Sequence, residues 1–372
     1  MNEMSVIFKK FIAINRRLSG QIFSRKALRS LRFLASRSAV VAVLVLLGPA
    51  GWGGAVCAQR PLPDFTARDP LAGVGADNWL RPAAAYDGRR FALAAGTGGA
   101  LYAVASVGLY RTWYADFPRT GLHSYDDWGE WQQMDKAGHA LTAYAFSRYA
   151  FAGLRWSGFE RPAARYTALG VANLLQTTIE VMDGFSAEWG FSWYDMAFNL
   201  SGSLLFTAQD ALWQEQRILM KVSSDLRGVP DVPVFNAAGA EGNLGVVSAE
   251  RFGTGVLERF LKDYNAQTIW LSANPRAFFP RSNLPPWLNV AVGYGVESVY
   301  GAYGNVWSEG GQRFRFPEDR YRQWVLSPDV YFSRIPTRKR WVRLALGLLD
   351  VIKFPAPALE YSRGSFRAHW LY

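Results

Sequence analysis

The sequence predicts a mainly α-helical, membrane-associated fold. An up-and-down bundle of about four apolar helices comes first, and a smaller, mixed, β-rich C-terminal module follows. Three observations carry this expectation. Hydrophobic residues make up 50% of the 372, aromatics 15%, and only 19% are charged, below the roughly 25% usual for soluble domains. Between residues 91 and 214, long apolar stretches alternate with short links that contain glycine or proline. From about residue 225 the pattern changes to turn-rich stretches and period-two alternation.

Residues 1–58 read as an export signal or N-terminal anchor. Nine Lys and Arg against the single acid Glu3 precede the apolar run 39–50, and small residues follow it. The net charge of +11 is concentrated there; without that segment it falls to roughly +3. The basic balance therefore describes the leader and gives no case for nucleic acid as a partner. Cys57, the only cysteine, is the candidate for lipidation and excludes a disulfide framework. The expected location is the bacterial cell envelope: periplasm-exposed, membrane-associated, with membrane lipid or another envelope protein as partner. Residues 59–88, rich in Pro, Ala and Asp, read as a linker.

The bundle is expected over 89–222. Its first helix, 91–110, is 20 residues without a charge, about one bilayer thickness. Helices near 134–155, 163–182 and 192–214 follow. Gly158 stops the second, Pro162 opens the third, and Ser192 is placed to cap the fourth. Short links make neighbours antiparallel. The C-terminal region, 223–372, is expected to hold strands at 268–273, 288–300, 324–332, 357–362 and 365–371, with a basic interfacial helix at 338–352. Four to six strands are fewer than the eight or so of a closed membrane barrel.

Up-and-down topology places the bundle's acids at one end. Asp135, Lys136 and His139 start the second helix, and Glu180 and Asp183 end the third. Glu188 lies in the next link, and Asp195 and Asn199 start the fourth. Arg148, Arg155, Arg161 and Arg165 fall at the other end. Asp135–His139 and Asp195–Asn199 are four apart and Glu180–Asp183 three apart, so each pair shares a helix face. One reading is a salt-bridged rim, Lys136 pairing with Glu180 or Asp183. A second is a functional polar site made of these eight residues, and a third is a rim of purely solvated charge.

The runs M-D-K-A-G-H-A-L-T-A-Y (134–144) and T-T-I-E-V-M-D-G-F-S-A-E-W-G-F-S-W-Y-D-M-A-F-N-L-S-G-S (177–203) resemble the YfiM-like family of predicted periplasmic lipoproteins, a domain of unknown function. Segments 261–275 and 286–295 look like its longer members. A more distant similarity is to VanZ-like membrane proteins. Their D-K-x-x-H, E-x-x-Q and D-x-x-x-N-x-x-G pattern falls on Asp135, Lys136, His139, Glu180, Asp195, Asn199 and Gly202, with Asp183 at the Gln position. The resemblance implies location and fold more than chemistry.

No G-x-S-x-G, H-E-x-x-H or P-loop is present, and no cofactor is called for. The expected function is a non-enzymatic binding or structural role in the envelope. The alternative is a hydrolase or transferase on a lipid-linked or cell-wall substrate. There His139 would act as general base, with Asp135 or Glu180 orienting it. A variant holds a divalent metal on Asp135, His139, Glu180 and Asp183.

Overall fold

A computed structural model of the chain describes residues 79–115, 117–225 and 227–372. The expected signal or anchor, Cys57 within it, and most of the linker lie outside the described residues. Among the described residues there are eight α-helices and a six-stranded antiparallel sheet, with two further two-stranded ribbons.

Helix α1 (Gly88–Leu109) starts on Asp87, whose carboxylate accepts from the backbone N–H of Arg89 and Arg90. It is long and apolar enough to cross a membrane, and it buries none of its residues. Helices α2 (Met134–Trp156), α3 (Arg161–Gly184) and α4 (Trp193–Trp213) pack on one another, and α1 touches α2 at their edge. The buried bundle is thus three helices, where the sequence led us to expect about four.

Local chemistry sets the helix ends where expected. Gly158 follows α2 at φ +85°, the left-handed geometry of a helix stop, with its Cα pressed against the Ala85 carbonyl. Pro162 lies in the first turn of α3, and Ser192 caps α4. Helix α3 buries Ala164, Ala168, Ala172, Gln176, Glu180 and Gly184, a four-residue repeat. Alanine at the early positions lets the neighbours approach. The same face then carries Gln176 and Glu180 inside. On α4, Gly202 meets α2 so closely that a Cβ there would lie 1.9 Å from the Ala140 carbonyl oxygen.

After α4 come the short helices α5 (Leu244–Phe252), α6 (Val256–Lys262) and α7 (Pro275–Phe278), then α8 (Arg340–Leu349). The sheet order is β1 (Ile218–Ser224), β4 (Gln267–Ala273), β5 (Leu288–Glu297), β8 (Tyr321–Val330), β9 (Ala358–Ser362), β10 (Ser365–His369). The ribbons pair β2 (Pro233–Phe235) with β3 (Glu241–Asn243), and β6 (Val306–Glu309) with β7 (Gln312–Arg315).

Residues 222 and 223 lie inside β1, and the described residues from 79 onward belong to one compact unit. One apolar core joins the two regions: Met134, Leu141 and Tyr144 of α2 and Phe206 of α4 meet Leu219, Val222, Ile269 and Val296 of the sheet.

Beyond the part that α2 covers, the inner face of the sheet sets many polar groups around a small apolar cluster, Trp270, Ala291, Val325 and Ala358, while the outer face is apolar. Lys221, Ser272, Asn289, Ser327, Asp329 and Glu360 are buried. Facing out, the register aligns Leu271, Val292, Leu326 and Leu359 in one row. The adjacent row is Tyr294, Trp324, Tyr361 and Phe366.

Gly202→Ala drives a methyl into the α2 backbone and is expected to cost about 1–3 kcal/mol, the usual range for overpacking. Thermal unfolding checks this; an unchanged melting temperature contradicts the close approach.

Candidate functional site

The acidic end of the bundle closes over a lysine. Lys136 lies on the buried stripe of α2 with Ala140, Ala143, Tyr144 and Ser147, and is 0% exposed. Its ammonium is 2.5 Å from Asp127, 3.0 Å from Asp135 and 3.0 Å from Asp195. Asp127 precedes the helix and Asp195 sits in the first turn of α4. Ser192 joins them: its hydroxyl donates to Asp127 at 2.7 Å and accepts from the Asp195 N–H at 3.0 Å. The Ser192 N–H reaches Glu180 Oε2 on α3 at 3.3 Å. A charge buried this deeply persists only when paired and hydrogen-bonded, and here three separate segments supply the partners.

Beside this centre lies His139. Its Nδ1 is 3.1 Å from Asn199 Oδ1 and 3.5 Å from Glu180 Oε1; its Nε2 is 3.9 Å from Asp195 Oδ2. Gln176 donates to Asn199 Oδ1 at 2.7 Å. Asp183 accepts from the Tyr114 hydroxyl at 2.6 Å.

The roof is the segment 117–128, which runs along the link between α3 and α4. Its backbone bonds join Thr120 to Phe185, His123 to Gly184 and Phe191, and Tyr125 to Phe191. The chain then passes through three consecutive left-handed residues, Trp131, Gln132 and Gln133 (φ 48°, 54° and 63°), directly before α2. Such backbone costs about 1 kcal/mol or more per residue. The C-terminal region holds it: Trp131 N–H donates to the Ala302 carbonyl, Tyr294 donates to the Gln132 carbonyl, and Arg322 donates to Gln133 at 2.7 Å.

Five carboxyl groups (Asp127, Asp135, Glu180, Asp183, Asp195) face two bases, so the cluster retains protons. Burial pushes Glu180 up to about 8; His139 opposes this, and Asp195 and Asp183 add to it. Burial likewise lifts Asp183 to about 6, against the Tyr114 hydrogen bond. Burial acts to raise Asp127, but its hydrogen bonds with Lys136 and Ser192 help to hold it low; burial lifts Asp195 to about 7 against His139, with Asp135 adding to the rise. For Lys136 and His139 burial acts downward, yet the surrounding carboxylates outweigh it and raise both.

The structure therefore brings together Asp135, Lys136, His139, Glu180, Asp195 and Asn199, with Asp183 near His139 and held by the Tyr114 hydroxyl. Glu188 does not join them; it is exposed in the link. The expected pairing of Lys136 with Glu180 or Asp183 is replaced by Asp127, Asp135 and Asp195. The arginines at the other end are individually engaged: Arg148 with Asp350, Arg161 and Arg165 with buried Asp210, Arg155 with the Phe159 carbonyl.

Residues 126–208 match the family described as "Predicted periplasmic lipoprotein (DUF2279)". The match begins one residue before Asp127 and ends beyond Asn199, so it takes in every group around Lys136 and His139 and omits the sheet. It supports a periplasmic, envelope-associated setting, and its description names no activity. No curated protein and no solved structure matches the chain.

Sequence reasoning missed Asp127, Gln176 and Tyr114. Gln176 had a signal: it precedes Glu180 by four residues and shares its face. Asp127 and Tyr114 lie in stretches with no helical period.

Ser192→Ala removes the cap of α4 and the bridge to Asp127. It is expected to cost about 2 kcal/mol, the upper end for a lost N-cap, while Glu188→Ala leaves stability unchanged. Denaturant titration of both variants checks the contrast; equal effects contradict it.

Proposed function

We propose that the chain is a periplasm-facing envelope protein that rests against a bilayer and uses the buried cluster as a binding site. The observation that carries the membrane part is the outer face of the sheet. Soluble sheets solvate a polar outer face; here Leu271, Val292, Leu326 and Leu359 on the outer face stay 43–50% exposed, while Lys221, Asn289, Asp329 and Glu360 are buried within. Aliphatic side chains bordered by a row of aromatics are what a lipid-facing sheet presents.

The helices support the same reading. Leu93, Leu101 and Val104 of α1 and Leu200, Leu204 and Leu212 of α4 are exposed. On α8, Trp341, Leu344 and Leu348 share one exposed face, and Arg338 and Lys339 precede it, as in an interfacial helix. In this proposal α1 completes a four-helix bundle at the lipid. The narrower kinships, to YfiM-like lipoproteins and VanZ-like membrane proteins, belong to the proposal too and rest on the motif residues from Asp135 to Gly202.

Binding is favoured over base catalysis by the state of His139. A general base must give up its proton readily near neutral pH, and the carboxylates around this imidazole hold the proton on. The hydrolase or transferase reading therefore works against the carboxylates that favour the charged imidazole.

Leu326→Lys places a charge on the outer face without entering the core. Partitioning into vesicles of mixed zwitterionic and anionic lipid is expected to weaken roughly tenfold, as ~1–2 kcal/mol per charge between bilayer midplane and interface implies. Vesicle flotation with a parallel melting curve checks this. Undiminished flotation at unchanged stability contradicts a lipid-facing sheet.

A further inference from the structure

We propose that His139, Glu180 and Asp195 form a binding site for a divalent transition-metal cation. The inference rests on reading the buried cluster as a ligand site, and it names the chemistry of the ligand.

Two groups of three protein ligands converge in the cluster. Asp127, Asp135 and Asp195 lie together, as do His139, Glu180 and Asp195; in each, one donor atom per residue falls within 4.8 Å of the others. The first group already surrounds a cation, the Lys136 ammonium, which is no more than 3.0 Å from each carboxylate. The second group has no protein cation at its centre other than the imidazole itself, and it combines one nitrogen with two carboxylates.

Independent of the acids' proximity, several buried polar atoms here make no hydrogen bond. Glu180 Oε1 and Gln176 Oε1 are buried on α3 with no hydrogen bond, and both residues are only 1% exposed. Across from them, Asn199 Nδ2 on α4 is also buried without one. Asp195 Oδ1 contacts Lys136 at 3.0 Å but outside hydrogen-bond geometry. An unsatisfied buried acceptor costs about 1–3 kcal/mol, and two of them, Glu180 Oε1 and Gln176 Oε1, lie beside this imidazole.

The donor set selects its class. Imidazole with carboxylates suits Zn2+ or Mn2+, whereas Ca2+ and Mg2+ prefer oxygen alone. Ligand bonds of about 2.0–2.2 Å put donors roughly 3–4.4 Å apart across a site, so donors spread over 4.8 Å need to draw in by only a few tenths of an ångström. Metal-bound histidines hold their second nitrogen on an acceptor. Asn199 Oδ1, itself fixed by Gln176, stands 3.1 Å from Nδ1 in that role when Nε2 ligates. The His139 side chain keeps 19% of its surface exposed, so an ion can reach it.

The test is calorimetric titration of the chelator-treated full chain in detergent with Zn2+, Mn2+ and, separately, ethanolamine as an organic ammonium. The proposal expects saturable binding of one Zn2+ or Mn2+ per chain, weakened at least tenfold in Glu180→Gln and His139→Gln and unchanged in Glu188→Gln. Circular dichroism verifies that each variant is folded. The wild-type titration needs no variant: absence of saturable binding of either metal overturns the assignment. Binding that Glu180→Gln and His139→Gln leave intact marks surface adsorption and overturns it equally. Should ethanolamine bind in a Glu180-dependent way while neither metal does, the cluster stands as a ligand site and the metal alone falls. If nothing binds, both fall.

Discussion

Everything at the acidic end of the bundle is arranged around one buried ammonium. Lys136 cannot reach water, and its charge is tolerable only while Asp127, Asp135 and Asp195 surround it. That requirement fixes more than an ion pair. Asp195 must sit in the first turn of α4, where Ser192 caps the helix; Ser192 must also hold Asp127, and its N–H must meet Glu180 on α3. The roof segment, three helices and a link are therefore set by one charge. His139 is then placed between Glu180 and Asp195 by groups already committed to this frame.

The C-terminal region contributes to the same frame from a distance. Three left-handed residues aim the chain into α2 so that Met134, Asp135 and Lys136 start the helix in register with the cluster. Strain of this kind persists only where surrounding structure holds it. Here Tyr294 and Arg322 of the sheet, and the Ala302 carbonyl, hold it. The aromatic row that begins at Tyr294 continues through Trp324 to Tyr361 and Phe366 on the open face. The lipid-facing surface of the proposal and the support of the cluster thus share a strand.

Much of the architecture was legible in the residues. Helices α2 to α4 and their stops follow from apolar runs punctuated by Gly158, Pro162 and Ser192, because capping and helix-breaking are local effects. Period-two alternation gave away β5, and β8 was among the further strands expected. What stayed hidden was non-local. β1 lies largely in the stretch assigned to the bundle, past the expected helix end at 214, and is a strand through its pairing with β4. The short helices α5 and α6 and the two ribbons lie in a stretch whose turn residues mask any period. In the site, residues on helices announced themselves by spacing, while Asp127, on irregular chain, did not. The partner of Lys136 was misassigned because helix pairing alone cannot show that a preceding loop folds back over the helix end. Location near one rim was readable; which acid meets which base was not.

The most direct test of the central claim is a double-mutant cycle on Lys136→Met and Asp127→Asn, read as unfolding free energies. Removing one partner leaves uncompensated buried charge and is expected to cost about 3–5 kcal/mol for Lys136→Met. The double variant should cost clearly less than the sum of the two single ones, because each change relieves the other's unpaired group. A Lys136→Met protein as stable as the wild type, or strictly additive effects, would contradict the account.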